Sequence, residues 1–95
     1  MFQVHWTNEA ETDLENILAY YFDEAGEEVA KAVCERMREQ IGTLRHFPER
    51  CRIGRIAGTN EYALARLPYV AIVQIDAQTV YVLNVFHSAR KFPSA

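Results

Sequence analysis

Ninety-five residues with a net charge of −3, 49% of them hydrophobic and 24% charged, have the balance expected of one folded water-soluble domain. No apolar run approaches the roughly 18–20 residues that cross a bilayer, and the start, Met1-Phe2-Gln3-Val4-His5-Trp6, has no basic region or long apolar stretch, so a signal peptide is not expected and the cytoplasm is the default location. Cys34, Cys51 and the scattered His5, His46 and His87 lack metal-ligand spacing, and the two thiols read as bystanders rather than as a disulfide.

In chain order, Phe2, Val4 and Trp6 alternate with Gln3 and His5, the period of a short half-buried strand. Thr7 or Asn8 then reads as a helix N-cap, and Asn8 with Glu11 resembles a capping box. Ala10, Leu14, Ile17, Leu18 and Tyr21 form one helical stripe, ended near Gly26. Val29, Val33, Met37, Ile41 and Leu44 form a second stripe, with Glu27→Lys31 and Glu35→Arg38 pairs on its outer face. Phe47-Pro48 stops this helix, because proline disfavours helix at the residue before it. Two helices joined by so short a turn lie antiparallel, as a hairpin.

The second half changes period. Cys51 to Ile56 reads as a short edge strand interrupted by Gly54, and Gly58-Thr59-Asn60 as a turn. Glu61 to Leu67 alternates Tyr62, Leu64 and Arg66 against Ala63, Ala65 and Leu67, and Pro68 ends it. Tyr69 to Ile75 is almost wholly apolar, as a central strand is. Asp76-Ala77-Gln78-Thr79 is a turn, and Thr79 to Phe86 the returning strand. The expected order is a strand, two helices, then three or four strands. Neither the hairpin nor the sheet can bury its apolar face alone, so the prediction is a two-layer α+β domain of β-α-α-β-β-β order, with the helical hairpin packed on a mainly antiparallel sheet.

Charge is uneven along the chain. Residues 1–44 carry ten acids against three bases, and residues 45–95 seven bases against three acids. The basic half reads either as a surface for an anionic partner or as ordinary solvated strand edges.

Taken together, these residues resemble the RelE/ParE toxin superfamily over about residues 4–93. The resemblance is carried by Trp6-Thr7, Ala10, Asp13, Leu14, Ile17, Tyr21, Phe47-Pro48, Gly54-Arg55, Gly58-Thr59-Asn60-Glu61, Leu67-Pro68-Tyr69, Val82-Leu83, Val85, His87 and Arg90. The ParE branch is the closer match, through its terminal His-x-x-Arg. The resemblance implies the toxin half of a type II toxin–antitoxin pair, made with an antitoxin from the same operon whose C-terminal part wraps the toxin in a hetero-oligomer. It implies no cofactor and no membrane partner. It also implies one of two targets: DNA gyrase, poisoned by the ParE branch, or mRNA on the ribosome, cut by the RelE branch. Two positions depart from the pattern. Asn60 stands where the family often has arginine, and Val70 stands where the ribonuclease branch places an arginine after the residue matching Tyr69. The second loss removes a group suited to a developing phosphorane charge. A protein-binding gyrase inhibitor is therefore the primary expectation; an mRNA endoribonuclease, or an inactive relative kept as a binding module, is the alternative.

A metal-free ribonuclease needs an acid–base pair and a cation around one phosphate. Glu61, Arg66, His87 and Arg90 are the candidates, with Arg66, His87 and Arg90 the catalytic set if the chain is a nuclease. Tyr62, Arg66, His87, Arg90 and Lys91 are the expected target- or antitoxin-binding residues. Each has a plainer reading. His87 suits a polar strand end contacting the next loop, Arg66 a sheet edge bonded to a carboxylate, and Arg90-Lys91 a solvated tail. In the Tyr20-Tyr21-Phe22 run, Tyr21 falls on the core stripe, and Tyr20 or Phe22 either marks a partner surface or packs between helices.

Overall fold

A computed structural model describes residues 1–90. Strand β1 spans Gln3–Trp6 and ends at Thr7, which caps α1, Asn8–Ala25. The Thr7 Oγ1 accepts the Ala10 N–H at 3.2 Å and donates to the Val82 carbonyl at 2.8 Å, so one hydroxyl caps the helix and ties it to the sheet. Thr7 rather than Asn8 is the cap, and Glu11, expected in a capping box, instead pairs with Arg38 of α2. Gly26, at φ 93°, makes the turn into α2, Glu27–Gly42. That conformation is inexpensive only for a residue without Cβ. Of the two ion pairs expected along α2, Glu27–Lys31 forms at 3.7 Å, whereas Arg38 turns to Glu11 and stacks over the Trp6 ring at 4.8 Å.

Single 3-10 turns at Thr43–Arg45 and Pro48–Arg50 lead to β2, Arg52–Ile53. Strands β3, Asn60–Ala63, β4, Tyr69–Asp76, and β5, Thr79–His87, complete one sheet in the order β1-β5-β4-β3-β2. All neighbours are antiparallel except β1, which runs parallel to β5. The architecture is the expected α+β arrangement, with four strands after the helical hairpin.

Two strands are shorter than the alternation predicts. β2 stops at Ile53 because Gly54 lies against Thr59, where a Cβ would sit 2.5 Å from Oγ1, and the chain turns there. β3 stops at Ala63 because residues 64–68 form a turn in which Arg66 adopts φ 62°. The Gln40 side chain of α2 holds that turn by accepting the Ala65 N–H at 2.7 Å and donating to its carbonyl at 2.9 Å. Arg66 therefore does not share a strand face with Tyr62. Alternation alone could not reveal this, because the competing hydrogen bonds come from a distant helix.

The core lies between hairpin and sheet. Ala10, Leu14, Met37 and Ile41 from the helices meet Ala71, Val73, Val80 and Val82 from the strands. Each large side chain so buried contributes about 1.5–3 kcal/mol. Val70, Ile72 and Phe86 are buried on the opposite face, under Ile56 and Leu83, which accounts for the unbroken apolar run of β4.

The β4–β5 turn carries a removable cost. Ala77 sits at φ 52°, a left-handed conformation that costs a residue with Cβ about 1–2 kcal/mol. Ala77→Gly is expected to raise stability by about 0.5–1 kcal/mol after its own entropy cost. A urea midpoint that falls or stays fixed would contradict this.

Candidate functional site

A bulge on β5 creates the first feature. Ile72 pairs with Asn84 but Val73 pairs with Val82, so Leu83 is looped out of register. β1 has already ended at Trp6, which leaves the outer edge of β5 open from this point. Asp13 of α1 fills part of the gap. Its Oδ2 accepts the Val85 N–H at 2.9 Å and the Asn84 Nδ2–H at 3.2 Å, in place of a missing strand. Beyond it lies a groove of about 620 Å³ between α1 and the end of β5. Ile17, Tyr20, Tyr21 and Tyr69 form its aromatic and apolar wall, and His87 and Arg90 its far rim. The rings run in an edge-to-face series, with centroids 5.2 Å apart for Tyr20–Tyr21, 6.5 Å for Tyr21–Tyr69 and 5.4 Å for Tyr69–His87.

The hydrogen-bonding state of these groups limits their chemistry. The His87 Nδ1 accepts the Ala89 N–H at 3.1 Å, so the neutral ring carries its proton on Nε2. This is also the contact with the following loop anticipated for a polar strand end. Burial, followed by hydrogen bonding with Tyr21, pushes the Tyr69 hydroxyl above its ordinary pKa, so it too stays protonated.

Glu61 is the second feature, on the other face of the sheet. It is 3% exposed. Its Oε2 accepts the Arg55 N–H at 2.9 Å and Nε–H at 2.8 Å, and Oε1 accepts from Arg55 Nη2 at 3.1 Å and Arg52 Nη2 at 3.4 Å. The Arg55 hydrogen bonds, against the cost of burial, bring its pKa down to about 2. The Arg55 guanidinium also stacks over Phe86 at 5.1 Å. The carboxylate thus clamps the 54–59 loop over the Val70–Ile72–Phe86 face and has no lone pair placed for proton transfer near neutral pH.

Of the catalytic and target-binding candidates named from sequence, only His87 and Arg90 line the groove, and Tyr20 and Tyr21 of the aromatic run join them on its wall. Arg66 is exposed on its turn, Tyr62 is half-buried at the helix-side core opposite Ala71, and neither lines the groove. Lys91 lies outside the described residues. Val70, 4% exposed, packs with Ile72 and Phe86. Tyr20 is 56% and Phe22 53% exposed, whereas Tyr21 packs on the core. Sequence reasoning missed Asp13, Ile17 and Tyr69 as groove walls; a carboxylate beside a core stripe carries no local mark of its sheet partner. Cys34 and Cys51 are free, and burial raises both thiols, Cys51 to about 11. Among the described residues no group of three or more His, Cys, Asp or Glu is placed to hold a metal ion, and no helix is long and apolar enough to cross a membrane.

The Glu61 clamp predicts an acid dependence. With its folded pKa depressed to about 2, Glu61 contributes stability that is present above the unfolded carboxylate range and lost as pH falls toward 2. Glu61→Gln is expected to cost about 2 kcal/mol near pH 7, and the gap from wild type should close between about pH 4.5 and 2. Urea unfolding across that range checks it; a gap independent of pH would contradict the clamp.

Comparison with known proteins places these features in a family context. The sequence profile described as "ParE toxin of type II toxin-antitoxin system, parDE" matches residues 4–92. "Putative toxin Y4kP" of Sinorhizobium fredii (strain NBRC 101917 / NGR234) is 31% identical over 91 residues, covering 96% of this chain and 93% of the relative. A chain from the "Chromosomal ParDE TA system from P. aeruginosa" superposes with a TM-score of 0.86 at 24% identity, covering 92% of this chain and 96% of that one. A chain of the toxin–antitoxin complex RelBE2 from Mycobacterium tuberculosis gives a TM-score of 0.59 at 24% identity, over 90% and 96% of the two chains. The two structures share the fold.

Proposed function

The chain belongs to the ParE toxin family of type II toxin–antitoxin systems, and from that premise we propose that it arrests growth as a protein-binding poison of DNA gyrase, neutralised by a cognate antitoxin from its own operon. The observation that carries this reading is Glu61. Among the described residues it is the one buried acid, and this candidate for the nuclease acid–base pair is locked between Arg52 and Arg55 and holds a loop rather than a proton.

Two further features support it. Val70 offers no cation at the position where the ribonuclease branch has one, and loss of such a donor commonly costs about 10²–10³ in rate. Arg66 stands on a turn outside the groove that holds His87 and Arg90, so the three do not converge there on one phosphate. A binding inhibitor has no such requirement. It needs a complementary surface, and an aromatic groove rimmed by His87, Arg90 and an open strand edge is one.

The target is tested by paired assays on the purified chain. Gyrase supercoiling should be blocked, while primer extension on messages in translating ribosomes should show no new cuts. Codon-position cleavage with supercoiling untouched would establish the endonuclease alternative. Normal colony counts on strong induction of folded protein would instead favour an inactive binding relative.

The antitoxin should engage the basic half of the chain, because a disordered acidic tail can fold on a cationic, partly apolar surface. Arg66→Glu with Arg90→Glu should weaken the complex by more than Arg36→Glu with Arg38→Glu. Equal Kd changes for the two pairs would contradict this placement.

A further inference from the structure

The tip of the helical hairpin is used by none of the features above. Every residue from Phe22 to Val29 is exposed, and the tip carries apolar groups into water: Leu18 is 37%, Phe22 53% and Val29 44% exposed. Leu18 and Phe22, four residues apart, stand one above the other on a single face of α1. Tyr20, between them in sequence, lines the groove, so tip and groove adjoin. The charge around these side chains is of one sign. Residues 1–30 contain the acids Glu9, Glu11, Asp13, Glu15, Asp23, Glu24, Glu27 and Glu28 and no lysine or arginine. Of the last four, only Glu27 has an ion-pair partner among the described residues, Lys31 at 3.7 Å.

Helix electrostatics accounts for half of the charge at the tip. Glu27 and Glu28 stand at the positive, N-terminal end of α2. Asp23 and Glu24 stand in the last turn of α1, at the negative end of its dipole, and that turn has no basic residue. Two acids and a phenylalanine are thus held where folding gains nothing from them, a combination that marks a surface made for a partner. Charge selects the partner's chemistry. A nucleic acid or an anionic membrane surface would be repelled, and so would the acidic tail expected of the antitoxin. A second copy could offer its own arginines only in a head-to-tail contact, which builds rings or filaments rather than a pair. A cationic protein surface with an apolar recess answers the carboxylates and Phe22 together.

We propose that the hairpin tip engages gyrase beside the groove, seating Phe22 and Val29 in an apolar recess while Asp23, Glu24 and Glu28 pair with the lysines and arginines around it. The proposal rests on the gyrase reading above and adds the surface that carries the contact. The test uses the full chain, purified gyrase and the product of the operon neighbour. Asp23→Lys with Glu24→Lys, and separately Phe22→Ser, should each raise the Kd for gyrase at least about tenfold and leave the Kd for the antitoxin unchanged. Affinity of the wild type for gyrase should fall with added salt, and the charge-reversed chain should lose that dependence. The reversed chain should melt no lower than wild type, because its new charges suit the α1 dipole, and this separates lost binding from lost folding. If wild type binds gyrase and both variants bind it as tightly, the tip is not the contact and the gyrase reading stands. No binding of wild type to gyrase overturns both. Loss of antitoxin binding in the two variants, or a self-association that they abolish, would assign the tip to the antitoxin or to a second copy and overturn the proposal.

Discussion

β4 is buried on both faces, from Tyr69 to Val73, yet the described residues form only one helical layer. The second face of the strand must be covered by something else, and much of the molecule answers that requirement. The 54–59 loop folds across it and brings Ile56 onto Val70, Ile72 and Phe86. A loop cannot be held there by apolar contact alone, so Arg55 is anchored to Glu61 by its backbone and side chain together. Folding the loop back so tightly requires Gly54 beside Thr59, and this cuts β2 to two residues. One demand for cover thus fixes the role of an acid, the position of a glycine and the exposure of an edge.

The same economy appears at the other side of the sheet. β1 is only four residues long, so β5 runs past it. Thr7 and Asp13 then serve α1 and β5 at once, one by capping the helix and holding Val82, the other by holding Val85. The groove exists because a strand is missing beside β5 and a helix stands off from the gap. Its aromatic wall is continuous with the core through Tyr21 and Tyr69, so it is supported from beneath. Preorganised rings at the rim lower the entropic cost of holding a partner, consistent with a surface that binds rather than one that moves protons.

The helical hairpin and the succession of elements along the chain were legible in the sequence because their information is periodic: Ala10, Leu14 and Ile17 or Val80 and Val82 declare their faces without help, whereas the place of β1 beside β5 carries no local mark. The ends of β2 and β3 were not, because Gln40, Thr59 and Glu61 decide them from outside the local window. The candidate site was read in part for the same reason. His87 and Arg90 lie close in sequence and meet in the groove, whereas Arg66 was assigned a strand face by an alternation that a left-handed turn interrupts. Nothing local distinguishes Asp13 and Glu61 from solvated acids. Both prove to be main-chain acceptors whose donors lie in other elements, Val85 for Asp13 and Arg55 for Glu61.

The parallel pairing of β1 with β5 sets Gln3 beside Thr79 and Trp6 beside Val82. The first strand therefore has no strand partner until residues 79–82 have been synthesised, and the tie from the α1 cap to the sheet waits with it, because Thr7 is held by Val82. Contacts this distant in sequence close slowly, and at about 5–20 residues per second the ribosome exposes an unfinished sheet for seconds. The groove is assembled from both ends of that interval, Asp13 and Ile17 early, His87 and Arg90 late. A growing chain lacks this surface until β5 is in place, so the groove appears with the closing of the sheet rather than with the appearance of its first residues.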